Sequence, residues 1–106
     1  MKVYDLYGIA CSELEEAKGQ AELALGVDLQ AHESGHHCGD YYRHDAVGQE
    51  HLILHRNFDS FEAEWTEPEH QDQAFLLYVN ETSRSAAIRT RLENLNTIRL
   101  LRHQEL

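Results

Sequence analysis

An α+β fold is what this sequence predicts: a mostly antiparallel sheet of about five to six strands with two helices on one face. Three observations carry that reading. Leu14, Ala17, Ala21 and Leu25, and later Ile88, Leu92 and Leu95, recur at helical spacing. Residues 74–79 are almost continuously apolar, as in a central strand covered on both faces. The remaining β-rich segments give the order strand, helix, several strands, helix, strand. The 106 residues suffice for one core and no second, so residues 1–106 form a single domain.

Taken in order, Val3–Ile9 is rich in β-formers and predicts the first strand. Ser12-Glu13-Leu14-Glu15 has the form of a capping box, in which the two ends satisfy each other's free amides. Gly26 supplies a left-handed stop to the helix that follows. Gly19 either weakens that helix or marks close packing against the sheet. Residues 27–31 predict a short strand and 33–39 a turn. Residues 41–44 and 50–57 are the arms of a hairpin around Ala46-Val47-Gly48. Phe61, Ala63 and Trp65 alternate with Ser60, Glu62 and Glu64. That period predicts a strand with its aromatics on one face and its carboxylates on the other, ended by Pro68. Thr82 or Ser83 caps the second helix, whose buried stripe is Ile88, Leu92 and Leu95. Asn94 and Asn96 break it, so residues 97–102 predict a last strand with Ile98 and Leu100 facing the core.

Charge is distributed unevenly over this framework. Between Asp28 and Glu81 twelve acids face two bases, an excess of ten that equals the net charge of the whole chain. The first 27 residues hold five acids and two bases, and the last 25 hold two acids and five bases. Such a field repels nucleic acid and anionic membrane and speeds encounter with basic partners. The N-terminus lacks the apolar run and cleavage site of a signal peptide, and no stretch approaches the roughly 20 apolar residues of a membrane span. Cys11 and Cys38 are too few for a disulfide framework, which fits a reduced, cytoplasmic setting.

The sharpest enzymatic signal is His32-Glu33-Ser34-Gly35-His36-His37-Cys38, which holds ligand types that zinc accepts. On a helix His32 and His36 would share a face, but Gly35 and Gly39 oppose a helix and no third ligand follows at a familiar spacing. The plainer reading is a histidine-rich polar loop with no metal and no cofactor. Cys38 lies in an acidic setting, which disfavours a thiolate nucleophile. No glycine-rich phosphate loop is present, and nothing sets two of the many carboxylates apart as an acid/base pair. No catalytic residue is expected.

The better signal is the acidic run: Asp59, Glu62, Glu64, Glu67, Glu69 and Asp72 lie within fourteen residues. If Phe61, Ala63 and Trp65 face the core, Glu62 and Glu64 project from a rigid strand and the loop acids extend the patch. A merely solvated face is the alternative. Of Tyr41 and Tyr42, one faces in and the other out; Tyr42, near Asp40 and Asp45, is a candidate anchor for arginine or lysine. The alternative has both rings at the core margin. Trp65 is a further aromatic anchor unless it lies wholly in the core. Arg89, Arg91, Arg99 and Arg102 offset the acidic half internally or solvate a helix face.

Tyr4-Asp5-Leu6-Tyr7-Gly8, His32-Glu33-Ser34 followed by Gly39-Asp40-Tyr41-Tyr42-Arg43, and residues 50–57 with Trp65-Thr66-Glu67 form a wider pattern. With Leu77-Tyr78-Val79 and Leu100-Leu101-Arg102, this pattern resembles small bacterial immunity proteins of polymorphic toxin systems, including those of contact-dependent growth inhibition. The resemblance spans most of the chain. It implies a cytoplasmic, non-enzymatic protein that binds one toxin domain, commonly a nuclease with a basic cleft, and blocks its active site. It transfers no catalytic or contact position. The expectation is therefore an immunity protein whose acidic surface meets a basic toxin domain through Tyr42, Asp59, Glu62, Glu64, Trp65, Glu67, Glu69 and Asp72. Two rivals stand beside it: a small metal-dependent hydrolase using His32, His36 and Cys38, and an acidic adaptor for another basic protein.

Overall fold

The computed structural model describes residues 2–34, 39–46, 48–60 and 62–106. Strand β1 (Val3–Ile9) leads into helix α1 (Leu14–Leu25), followed by β2 (Gln30–Ser34), β3 (Gly39–Asp45) and β4 (His51–Arg56). A two-stranded ribbon, β5 (Phe58–Asp59) and β6 (Glu64–Trp65), and a 3₁₀ turn (Pro68–His70) precede β7 (Phe75–Thr82). Helix α2 (Ser85–Glu93) and β8 (Ile98–Glu105) close the chain. The main sheet has the order β2-β3-β4-β7-β1-β8. Every neighbouring pair in it is antiparallel. The expected α+β architecture is the one the chain adopts.

Side-chain alternation divides the sheet into two faces. Tyr7 and Ile9 of β1, Leu52 and Leu54 of β4, and Leu77 and Val79 of β7 form one core with Leu14, Ala17, Ala21 and Leu25 of α1 and Ile88 and Leu92 of α2. Burying one such aliphatic side chain contributes about 1.5–3 kcal/mol, so this face dominates the stability of the domain. The intervening residues Leu6, Ile53 and Leu76 are also buried, on the side away from the helices. Strand β7, third from the β8 edge, is thus covered on both faces, as its unbroken apolar run predicts. Ile98 is buried, and Leu100 and Leu95 pack half-buried against the same core.

Local departures have local causes. Helix α1 starts one residue later than a Ser12 cap requires: Glu13 is the extended N-cap residue, without a side-chain cap, and its carbonyl accepts the amides of Glu16 and Ala17. The Ser12–Glu15 capping box does not form. Gly26 does end the helix, with φ of 67° and its amide bonded to Glu22 O at 2.8 Å. A Cβ on Gly19 would meet nothing within 4 Å, so close packing does not explain that glycine. Strand β2 begins at Gln30 rather than residue 27, because the Leu29 side chain is buried and its amide bonds Glu22 Oε2 at 2.8 Å. Arg84, not Thr82 or Ser83, occupies the N-cap position of α2, although Thr82 Oγ1 accepts the Arg84 amide at 3.1 Å.

The larger correction concerns residues 62–65, where no continuous strand forms. Ala63 is exposed with φ of 54°, and only Glu64 and Trp65 are extended, paired back onto Asp59 and Phe58. The short alternation belongs to a tight ribbon, and Phe61 lies outside the described residues. Pro68 opens the 3₁₀ turn, where its fixed φ is an advantage.

Candidate functional site: the acidic end of the sheet

Residues 57–74 join β4 to β7 and fold back over the helix-free face, organised by one side chain. Asn57 is fully buried. Its Nδ2 donates to the carbonyls of His70 at 2.8 Å and Gln73 at 3.0 Å, and its Oδ1 accepts the Glu67 amide at 2.8 Å. Its main chain adds N–H to Ala74 O at 2.9 Å and accepts the Thr66 amide at 2.8 Å. A carboxamide supplies donors and an acceptor together, which a carboxylate would not. Gln73, also buried, lies where a Cβ on Gly8 would stand 2.5 Å from its Oε1. That close approach is why glycine occupies position 8 of β1.

Two of the expected partner-binding acids are used inside the molecule. Glu67 accepts the Tyr78 hydroxyl at 2.6 Å and pairs with Arg102 Nη1 at 2.9 Å. Burial alone would raise its pKa; the hydrogen bonds from Arg102 and Tyr78 outweigh it and hold the carboxyl below its ordinary value. Asp72 pairs with Arg99 at 3.3 Å. Glu67 therefore fastens the insert to β7 and β8 rather than facing a partner.

The ribbon displays the others. Asp59 and Glu64 are directly opposite each other across its two strands, a like-charge pair that destabilises a ribbon. Glu62 is exposed in the tip, its amide bonded to Asp59 Oδ1 at 3.3 Å, and Glu69 is exposed on the 3₁₀ turn. Among the described residues no cation reaches ion-pair distance of Glu62, Glu64 or Glu69. Trp65 is half-buried and edge-to-face with Phe58 at 5.0 Å, while Phe58 remains 40% exposed.

Tyr42 belongs elsewhere. It lies on the helix-covered face, half-buried against the core opposite Leu54, with Lys18 Nζ 5.5 Å from its ring. Tyr41 is on the other face, stacked on His32 at 5.3 Å. Both tyrosines border a cleft of about 340 Å³ that is also lined by Glu13 and Glu15 from the start of α1, Asp40 from β3 and a single cation, Arg56 from β4. Across the β2–β3 ladder, Asp40 faces Glu33, a second like-charge pair. Sequence reasoning missed this group because only the sheet order brings residue 13 beside residue 40.

Strand register places both acidic groups at one end of the sheet, where Arg56 pairs with Phe75 and Ile9 pairs with Phe75 and Ile98. At the other end, around the β3–β4 turn, lies a cleft of about 690 Å³ lined by Lys2, Asp45, Glu50, Glu81 and Arg84. Its charges cancel: Lys2 meets Glu81 at 3.3 Å, and Arg84 meets Glu50 at 2.7 Å, while Arg43 meets Asp45 at 2.9 Å. Glu50 is buried and also accepts the Thr82 hydroxyl at 2.6 Å. The Arg84 guanidinium, opposed by burial and aided by Thr82, holds the Glu50 carboxyl below the usual carboxylate range.

His32 is exposed and engaged with Tyr41, and His36 and Cys38 lie outside the described residues. Among the described residues no helix is long and apolar enough to cross a membrane. Comparison with protein-family models, curated proteins and solved structures finds no significant match to this chain.

Proposed function

We propose that this chain is a cytoplasmic immunity protein, a non-catalytic inhibitor whose acidic end binds and neutralises a basic toxin domain, most simply a nuclease. The observation that carries this reading is the segregation of charge. Acids at one end face one another across the strands, exposed Glu33 against exposed Asp40 and exposed Glu64 against half-buried Asp59, while Glu50, Glu81 and Asp45 at the other end each meet a cation. Repulsion maintained in the free protein is relieved when lysines and arginines of a partner arrive. Glu62, Glu64 and Glu69, with Asp59, form the main contact, and Phe58 and Trp65 supply its apolar anchor. Tyr42, Glu13, Glu15 and Asp40 form a second contact on the same end. Glu67 supports the surface from beneath, and Asp72 is held by Arg99 at its exposed margin.

The test is co-expression with the C-terminal domain encoded immediately upstream, scoring growth and co-purification. Rescue of growth with a one-to-one complex is the expected result. A harmless neighbour that forms no complex overturns the reading, and a complex without rescue favours an acidic adaptor.

A further inference from the structure

Strand β8 forms an edge of the sheet, and its one strand neighbour in the ladder is β1. Between Leu100 and Arg102 its register with β1 shifts by one residue: Tyr7 faces Leu100, but Leu6 faces Arg102. Such a bulge exchanges the faces of all residues beyond it. It turns Arg102 toward the insert, where it pairs with Glu67 at 2.9 Å. It turns His103 toward the helices, where Nδ1 lies 2.5 Å from Asp5 Oδ1. Consecutive residues of one edge strand thus fasten opposite faces of the molecule.

Asp5 is buried, with 2% of its surface exposed. Its second oxygen accepts the Ser85 hydroxyl at 2.5 Å. From α2 it also feels Arg89, itself bonded to Glu93 at 2.8 Å. On β1 the neighbouring Tyr7 phenol is pushed up by burial and stays neutral, and the β7 residue opposite Asp5 is the non-ionisable Val79. On β8, His103 Nε2 lies 3.3 Å from Glu105 Oε1. An imidazole satisfies two carboxylates only as the imidazolium, with a proton on each nitrogen. Once it is neutral, one carboxylate faces a lone pair.

We infer that Arg102 and His103 are a two-sided latch: protonated His103 clamps the outer half of β8 to Asp5, and through Arg102 this clamp holds the acidic insert on the opposite face. As regulation of the acidic surface the latch rests on the function proposed above, but it operates in the free chain. Hydrogen bonds to Asp5 first, and then to Glu105, raise the His103 pKa. A group whose pKa is higher in the folded state contributes stability that is complete below its unfolded pKa, about 6.5 for histidine, and lost as pH rises through the folded value. The insert therefore loosens on the alkaline side.

Trp65, the only tryptophan, reports on the insert directly. In the free protein between pH 6 and 9.5, His103 is followed by NMR, the amides of β8 by hydrogen exchange, and Trp65 by acrylamide quenching. Deprotonation of His103 should accelerate exchange of the outer β8 amides about five- to tenfold beyond the intrinsic pH effect, the difference between a charge-assisted and a neutral hydrogen bond. Trp65 accessibility should rise with the same midpoint. In His103→Gln both readouts should be loose already at pH 6, with no transition. In Arg102→Gln, Trp65 should be accessible throughout while His103 still titrates. Trp65 accessibility that stays flat through the His103 titration overturns the latch, as does a transition that survives in His103→Gln. None of these readouts uses a partner, so failure here leaves the toxin-binding proposal standing, and the reverse also holds.

Discussion

At the end of the sheet that holds Glu50, Glu81 and Asp45, each of these carboxylates has its own cation. At the opposite end Glu33 faces Asp40, and Glu64 faces Asp59. The acids are of the same two types at both ends; what differs is where the nine bases fall. Among the described residues seven of them meet a carboxylate, none of those seven at the ribbon tip, and Arg56 lines the cleft beside Glu13 and Asp40. The paired end spends its charge on folding, and in the function proposed above Glu62, Glu64 and Glu69 of the acidic end keep theirs for recognition. A net charge of −10 is therefore not a uniform coat but a directed field.

The largest effect should come from the residue that holds the acidic end in shape. Asn57→Ala removes several hydrogen bonds and strands buried carbonyls, at about 1–3 kcal/mol for each uncompensated group. We expect a loss of about 3 kcal/mol by urea denaturation and a freely quenched Trp65, with the paired end intact. At the paired end, Glu50→Gln leaves Arg84 without its buried counter-charge. The full cost of breaking a buried pair, about 3–5 kcal/mol, is reduced because Arg84 reaches solvent, and we expect about 2 kcal/mol. The pH dependence has a definite sign. The Glu50 carboxyl is depressed in the folded state, so its contribution is complete above about pH 4.5 and lost as pH falls through the folded value. Glu50→Gln should flatten that acid limb, which a urea series from pH 6 to 3 would measure.

Much of the framework was legible in the sequence, and the failures share a cause. Apolar spacing located both helices, and the run at 74–79 located the central strand, because burial stamps its period on local sequence. The alternation of Phe61, Ala63 and Trp65 misled because so short a period of two also fits what Glu62–Trp65 form, a turn and a two-residue ribbon arm. Ala63 in the left-handed region left no sign, since glycine or asparagine is the usual marker there. The internal role of Glu67 depends on Arg102, 35 residues away, and the Glu13–Asp40 cleft depends on strand order. Charge composition foretold an acidic surface, but only the fold sorts carboxylates that are paired from those that are not.

Smaller changes sharpen the contrast. Gly8→Ala forces Gln73 off the sheet and should cost about 1–3 kcal/mol, as overpacking does, while leaving every acid in place. Glu64→Lys should stabilise the free protein by a few tenths of a kcal/mol, because it replaces a like-charge cross-strand pair with an opposite one. A ribbon destabilised by that substitution would mean that Asp59 and Glu64 do not repel each other.

The most direct measurement is the association rate with the toxin domain proposed as the partner, at two ionic strengths. The doubly reversed Glu62→Lys/Glu64→Lys chain would be compared with reversal of the exposed Asp45 at the paired end. The account predicts that the ribbon reversal slows association about tenfold or more at low salt and flattens its salt dependence, while Asp45→Lys changes the rate by no more than about twofold. Equal effects from both ends, or an association rate indifferent to salt and to the ribbon charges, would contradict it.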